Sequence, residues 1–474
     1  MKLQSFDKYT FVEKKHLPYL QELSDFVSQS RYLPDYHIYP KCGLMNDPNG
    51  LSYFNGVYHF FYQWFPFEPN HGMKHWGHST STDLMHWHDE GIALTPDREY
   101  EKNGCYSGNA IEKEGKLYLF YTANYKTPQR KIPKQALAIM DQDGVIKKYQ
   151  DNPVIDGAPD FMSGEIRDPF VFARGNMYYM LLGGKTKNEE GALLLYQSAD
   201  LLQWTFAGEI SLPIDTGYMI ECPGIIEIDG KDVLFLCPMG LKEETLKYHN
   251  QFPTVYLIGH LDVDHLTFTM EAMDEGDCGF DYYAPQPFYG KDHTPMLAAW
   301  FGCGEQNLPT DEEMWKHGLT MTRSLKLVNH RLCSYVDDDI NALFTKTDHF
   351  KDRSLLTKSN HYHLSFTMSG DHNQWVKFGD QEDYWTMSID TENNTILLDR
   401  SHLQIPVDVD NGLKRLTAGL DQDHYQVDIY VDNSFVEIYL EKGLKTFSLR
   451  CFNLSDSAHW ITFADTCEGT ISYL

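Results

Sequence analysis

The feature that most constrains this chain's fold is a turn-plus-strand unit recurring through its first two-thirds. Asn55-Gly56 opens Val57-Tyr58-His59-Phe60-Phe61-Tyr62, and Glu114-Gly115 opens Lys116-Leu117-Tyr118-Leu119-Phe120-Tyr121. Arg174-Gly175 and Asp229-Gly230 open matching runs, and residues 290–297 form a degenerate fifth copy. The turn glycines recur about every 55–60 positions, a period that belongs to blades or solenoid units. A second echo sets Ser81-Thr82-Asp83-Leu84-Met85-His86-Trp87 against Ser198-Ala199-Asp200-Leu201-Leu202-Gln203-Trp204. Short strands divided by Gly, Asn and Asp turns, with few amphipathic helical stretches, predict an all-β chain whose main body is a five-bladed β-propeller.

The flanks read differently. Residues 1–30 carry Tyr9, Phe11, Leu17, Leu20, Leu23 and Phe26 among charges, which predicts a short N-terminal helical extension. Beyond about residue 340, alternating strands such as Tyr425-Gln426-Val427-Asp428-Ile429-Tyr430-Val431-Asp432 and Phe435-Val436-Glu437-Ile438-Tyr439-Leu440 predict a β-sandwich. The expected division is 1–30 extension, 31–338 propeller and 339–474 sandwich. No Pro/Ser-rich linker separates the last two, so they are expected to pack together.

A formal net charge of −28 argues against nucleic acid and against an anionic membrane surface, both of which need compensating Lys and Arg. Nine cysteines stand singly, without a C-x-x-C pair, which favours a reducing compartment over a disulfide framework. The run Met1-Lys2-Leu3-Gln4-Ser5-Phe6-Asp7-Lys8 lacks the apolar core of a signal peptide, and no apolar run is long enough to span a bilayer. A cytoplasmic protein is expected. Aromatic residues make up 14 % of the chain, which suits packing between sheets and also stacking on sugar faces.

Three acids sit in short motifs of similar context: Asp47 in Asn46-Asp47-Pro48-Asn49-Gly50, Asp168 in Arg167-Asp168-Pro169, and Glu221 in Glu221-Cys222-Pro223. In a propeller the innermost strand of each blade lines the channel. Asp47, Ser107 with Asn109, Asp168, Glu221 and Gln286 are therefore expected at matching positions, ringing one end of it. An Asx turn explains one acid before a Pro easily and five polar groups in register poorly. Carboxylates converging on a sugar-sized pocket are what glycosidic cleavage needs, one to attack or stabilise and one to donate a proton. His59, His75 and His78 form a local cluster, better explained by backbone and neighbour hydrogen bonds than by zinc; no metal or cofactor is expected. Cys222 lacks a His–Asn context and reads as a support for the adjacent acid rather than a nucleophile.

The ordered set Asn46-Asp47-Pro48-Asn49-Gly50, Phe61-Tyr62-Gln63, His75-Trp76-Gly77-His78, Tyr106-Ser107-Gly108, Arg167-Asp168-Pro169, Glu221-Cys222-Pro223 and Ala284-Pro285-Gln286 resembles glycoside hydrolase family 32. That family comprises invertases, fructanases and sucrose-6-phosphate hydrolases. The resemblance runs from about His37 to Leu327 and more weakly through Leu397-Leu398-Asp399-Arg400 and residues 431–437. It implies a propeller followed by a sandwich, as the repeat does. It also implies Asp47 as nucleophile, Glu221 as general acid/base and Asp168 as stabiliser, with Arg167 beside it. Asn46, Asn49, Gln63, Trp76, Tyr106, Ser107, Arg167, Gln286 and Trp300 are the implied substrate contacts. Glu221 is expected to have its pKa raised by the neighbouring aspartates and by desolvation.

The chain departs from the family pattern at Phe65-Pro66, around His71 where a Trp is common, at Tyr106-Ser107-Gly108-Asn109 and at Thr322-Arg323-Ser324-Leu325. These changes alter pocket walls and spare the carboxylates. The expected partner is a small fructoside: sucrose, sucrose 6-phosphate or a short fructo-oligosaccharide. Lys126, Arg130, Lys131, Lys185, Lys187, Lys242 and Lys316 are candidates for a phosphate. Transfer of fructose to a sugar acceptor is an alternative outcome of the same chemistry, and a non-catalytic fructan-binding propeller is a remote one.

Overall fold

The computed structural model describes residues 4–405, 407, 412–420, 422–452 and 459–474; residues 1–3 of the N-terminal extension lie outside these. Five antiparallel sheets follow one another along the chain. Blade I holds Gly43–Phe54, Val57–Phe65, His75–Ser81 and His88–Leu94; blade II holds Ala110–Lys113, Lys116–Lys126, Lys131–Met140 and Ile146–Lys148. Blade III holds Met162–Arg174, Met177–Thr186, Gly191–Ser198 and Thr205–Glu209; blade IV holds Met219–Ile228, Lys231–Met239, Val255–Asp262 and Thr267–Glu275. Blade V holds Tyr283–Tyr289, Pro295–Trp300, Arg323–Val328 and Arg331–Tyr335. The repeat seen in sequence is the first hairpin of each blade. Asn55-Gly56, Glu114-Gly115 and Asp229-Gly230 place both turn residues at positive φ, the tight two-residue geometry whose twist matches the flanking strands. In the degenerate copy that turn becomes a short 3-10 segment, Lys291–His293.

Facing sheets enclose apolar layers. Phe61 and Trp76 of blade I meet Leu119 and Tyr121 of blade II, and Leu181 and Leu193 of blade III meet Leu234 and Leu257 of blade IV. The ring closes through Phe60 against Phe288 and through a parallel pairing of Gly43–Leu44 with Trp315–Lys316. Three amide side chains stitch the blades at the channel. Asn49 Oδ1 accepts from the Gly108 amide, Asn109 exchanges two bonds with the Val171 backbone, and Gln286 bonds Leu51, Pro48 and Gly108.

The remaining chain is a ten-stranded sheet folded into a sandwich, in which the long strand Trp460–Tyr473 pairs with three others. Its union with the propeller is charged as well as apolar. Arg323 of blade V donates to Glu437 of the sandwich (2.7 and 3.1 Å) and to Asp277 (3.0 Å), all with no side-chain exposure. His37 bridges Asp432 and Glu437 at 2.8 and 3.0 Å. The N-terminal helix Leu17–Val27 buries Tyr19, Leu20, Leu23 and Val27 in an apolar cluster shared with Phe65, Trp315 and Phe435, at this same junction.

Candidate active site

The innermost strands of blades I, III, IV and V all break register at the motifs singled out by sequence. The bulges fall between Met45 and Pro48, Arg167 and Phe170, Glu221 and Gly224, and Tyr283 and Gln286. In blades III to V the residue before each proline, Asp168, Cys222 or Ala284, adopts positive φ (61°, 47° and 49°). Such a conformation is uncommon for residues with a Cβ and is typical of functional sites. The physical result is local: a regular strand sends successive side chains to opposite faces, whereas a bulge re-aims them.

This corrects the expected alignment of the acids. By hydrogen-bond register Glu221 matches Arg167 and Tyr283, while Asp168 matches Cys222 and Ala284. Gln286 matches Gly224 and Phe170. Asp47 in turn matches Pro169 and Pro223, so the three acids converge from three successive positions across the bulge rather than from a single ring of equivalent ones.

Asp47 is buried and saturated with donors. Its Oδ2 accepts from the Ser107 hydroxyl and from Gln63 Nε2 (3.4 Å), and its Oδ1 from Asn46 Nδ2 (3.1 Å). Gln63 Oε1 in turn accepts from Asn46 (3.0 Å), and its Nε2 donates to Ser107. Asp168 Oδ2 accepts from the Cys222 amide at 2.9 Å, and its own amide donates to Thr122 Oγ1 at 2.9 Å. Cys222 Sγ lies 3.8 Å from Asp47 Oδ2 and 3.6 Å from Asp168 Oδ2, so the thiol wedges between the two carboxylates. Glu221 accepts from Arg167 (Nε 2.9 Å, Nη2 2.8 Å) and from the Tyr283 hydroxyl (2.8 Å). A small cavity of about 20 Å³ is lined by Asp47, Ser107, Asp168, Cys222, Ala284 and Gln286 among others.

Burial raises the pKa of Asp47, and Glu221 adds to it against the Ser107 and Asn46 hydrogen bonds. Desolvation, then Glu221 and Asp47, push Asp168 up to about 7 against the pull of Arg167. Burial alone would lower the pKa of Arg167, but Glu221, Asp168 and Glu165 raise it above its ordinary value. The Cys222 thiol is driven well up by its bond to Cys237, by burial and by the aspartates, which keeps it a thiol and not a thiolate nucleophile.

Asn46, Gln63, Ser107 and Arg167 thus gather around the three acids. Tyr106 is half-buried with Arg167 in its surroundings. Trp300, 4 % exposed, stands edge-on to Tyr283, the donor to Glu221. Trp76 and Asn49 are withdrawn from any ligand. Both are 0 % exposed, Trp76 donating to the Tyr106 carbonyl and Asn49 holding Gly108. Aromatic burial between blades takes Trp76, and ring closure takes Asn49. Gln286 lines the cavity, yet its amide is committed to the backbone of blades I and II. His59 and His78 stack and hydrogen-bond at 3.0 Å, while His75 accepts from the Val12 amide at 3.0 Å.

The sequence reading missed Tyr283, Thr122, Glu165 and Lys74. Tyr283 carried a signal, since it precedes Ala-Pro as Glu221 precedes Cys-Pro and Arg167 precedes Asp-Pro. Lys74 donates to Asn46 Oδ1 at 2.6 Å and so fixes which end of that amide faces Asp47.

Residues 37–336 match the glycosyl hydrolases family 32 N-terminal domain, and residues 336–473 match the family's C-terminal domain. The chain belongs to glycoside hydrolase family 32. It is a glycoside hydrolase of β-fructofuranosidase type. Sucrose-6-phosphate hydrolase of Pediococcus pentosaceus is 34 % identical over 455 residues, covering 94 % of this chain and 91 % of the relative. The enzyme of that name from Salmonella typhimurium is 40 % identical over 326 residues, 67 % of this chain and 69 % of its own. Among solved structures, sucrose-6-phosphate hydrolase from Lactobacillus gasseri superposes with a TM-score of 0.93 at 32 % identity over 98 % of both chains. A family 32 β-fructofuranosidase of Bombyx mori gives 0.83 at 29 % identity, over 97 % of this chain and 98 % of that one. The family 32 fold, propeller then sandwich, is the one that the repeat and the alternating strands after it predict.

Proposed function

We propose that this family 32 chain is a retaining β-fructofuranosidase that hydrolyses the terminal β-D-fructofuranosyl residue of sucrose or sucrose 6-phosphate. The observation that supports the reading is the approach of Asp47 and Asp168 on either side of the Cys222 thiol, with the adjacent Glu221 held by Arg167 and Tyr283. Asp47, aimed by Ser107 and Asn46, attacks the anomeric carbon as the glycosidic bond breaks. Glu221 protonates the departing oxygen. Asp168 holds fructosyl hydroxyls and offsets the positive charge of the oxocarbenium-like transition state. Glu221 then takes a proton from water, which attacks the fructosyl-enzyme from the vacated side and restores the starting configuration.

Asp168 offsets positive charge in the transition state only as a carboxylate. Desolvation and its acidic neighbours hold Asp168 at about 7, so that it gains this charge as pH rises to neutrality. The expected outcome is a kcat/KM that climbs as pH rises toward about 7, read from initial rates across pH 5–9.

The deciding experiment is time-resolved product analysis on sucrose and sucrose 6-phosphate with wild type and Glu221→Ala. Removing a general acid/base should cost about 10²–10⁴-fold in kcat. Undiminished turnover by the variant would overturn the assignment of roles. Kestose and high sucrose, run alongside, report oligosaccharide hydrolysis and fructosyl transfer.

Two further readings belong to this proposal. Residues 31–338 and 339–474 are taken as the catalytic and sandwich domains, with 1–30 as an extension docked at their junction. A cytoplasmic location fits nine free cysteines. Among the described residues no helix is long and apolar enough to cross a membrane.

A further inference from the structure

In a chain of net charge −28, the cations near the pocket mostly have carboxylate partners. Lys131 pairs with Glu165 at 2.6 Å, Lys316 with Asp311 at 2.7 Å, and Arg167 with Glu221 and Glu165. Lys74 differs. It is 4 % exposed, and its Nζ donates to Asn46 Oδ1 at 2.6 Å and bonds His71 Nδ1 at 3.0 Å. Both partners are uncharged acceptors, which leaves the third donor of the ammonium without a carboxylate among the described residues. Asp47 is reached only through Asn46, and its own oxygens are taken by Asn46, Gln63 and Ser107. Desolvation outweighs the attraction of Asp47 and lowers the Lys74 pKa to about 7. A desolvated ammonium of this kind is costly until an anion completes it.

His71 extends the same corner. Because its Nδ1 accepts from Lys74, the imidazole proton sits on Nε2, on a ring that is exposed at the rim. The ring stands edge-on to Trp300 at 6.1 Å, and the Trp300 indole N–H is buried without a partner among the described residues. The loop that carries His71 and Lys74 is pinned by the N-terminal segment, through Met73 N to Lys8 O at 2.7 Å and Val12 N to His75 Nε2 at 3.0 Å. Lys74 touches Asn46 beside the nucleophile and His71 faces solvent, so the pair spans from the fructosyl pocket to its mouth. On the β-fructofuranosidase reading, the leaving sugar lies between the nucleophile and solvent and so passes this corner.

We propose that Lys74, together with His71, is the specificity determinant that receives the phosphate of a phosphorylated leaving sugar. The inference rests on the β-fructofuranosidase reading and names the part of the site that separates a sugar phosphate from a neutral sugar. Of the basic residues expected from sequence, Lys131 and Lys316 are held by Glu165 and Asp311.

The test compares kcat/KM for sucrose 6-phosphate and for sucrose in wild type, Lys74→Met and His71→Trp. The phosphate-to-sucrose ratio should fall by about tenfold to a hundredfold in Lys74→Met, the range of a charge-assisted hydrogen bond. It should fall by about threefold to tenfold in His71→Trp, where a neutral contact is lost. Independently, glucose 6-phosphate should inhibit wild-type sucrose cleavage at lower concentration than glucose does, and Lys74→Met should erase that difference. Equal losses on both sugars in Lys74→Met would make the residue a brace for Asn46 and Asp47 and overturn the proposal, as would a wild type indifferent to the phosphate. A wild type that cleaves neither sugar would instead bring down the fructosidase reading beneath it.

Discussion

Asp47 and Asp168 in the channel, and Asp432 and Glu437 between the two domains, are four carboxylates with almost no exposure, and their pKa values move in opposite directions. Burial pushes all four upward. At the junction His37, His361 and Arg323 bond the acids directly and more than reverse that push, taking Glu437 down to about 2 and Asp432 lower. In the channel the donors to Asp47 are neutral amides and a hydroxyl, and the cation nearest Asp168 is bound to Glu221. Desolvation and mutual repulsion win there. One cluster is completed within the chain and holds the domains together. The other is left incomplete, which costs stability and leaves capacity for a substrate and a proton.

The contrast can be broken at its strongest point. Glu437→Gln places an amide NH₂ where the carboxylate accepts from Arg323, the Met321 amide and Tyr439, and leaves Arg323 short of a counter-charge. A loss of about 3–5 kcal/mol in unfolding free energy is expected, read by denaturant titration. The kcat of the folded fraction should persist. A loss of activity without a loss of stability would mean that the junction serves catalysis directly.

The channel should answer in the other direction. Asp168→Asn removes a desolvated charge while keeping an oxygen for the Cys222 amide. It should abolish turnover and raise stability by about 1–3 kcal/mol, seen as a higher Tm at neutral pH. A destabilised variant would show that Asp168 is a structural acid like Glu437.

The smallest effect is the pH profile of stability itself. Folded-state values of Asp432 and Glu437 lie below the ordinary carboxylate range, so their contribution is present above about pH 4.5 and is lost as pH falls toward about 2. Asp168, raised to about 7, favours the folded state when protonated, and that contribution fades as pH rises from about 4 to about 7. Wild-type stability should therefore slope gently downward from pH 5 to pH 7, and Asp168→Asn should flatten the slope. An unchanged slope would assign the proton elsewhere in the cluster.

Much of this was legible in the chain. Turn glycines after Asn55, Glu114 and Asp229 announce hairpins because few other residues accept positive φ, and their period announces blades. The three acids announce themselves through short, local motifs. What the motifs could not convey is which face of a strand each acid occupies. Aligning Glu221 with Asp168 is natural when acids are matched with acids, and it is off by one residue because the bulge makes Cys222 the partner of Asp168.

Sequence alone determined the local quantities: hairpin positions, strand alternation, the acids beside prolines and the scarcity of cations. Tertiary structure alone decided which polar side chains face a ligand and which face a neighbouring blade. Asn46 and Asn49 sit three residues apart in one motif, yet one bonds the nucleophile and the other ties blade I to blade II. Lys74 and Lys316 are both buried lysines, and the fold supplies Asp311 to one and, among the described residues, no directly bonded carboxylate to the other. The physical reason is the same in each case. A side chain's chemistry is fixed by its own atoms, but its charge state and availability are fixed by partners that arrive from distant parts of the chain.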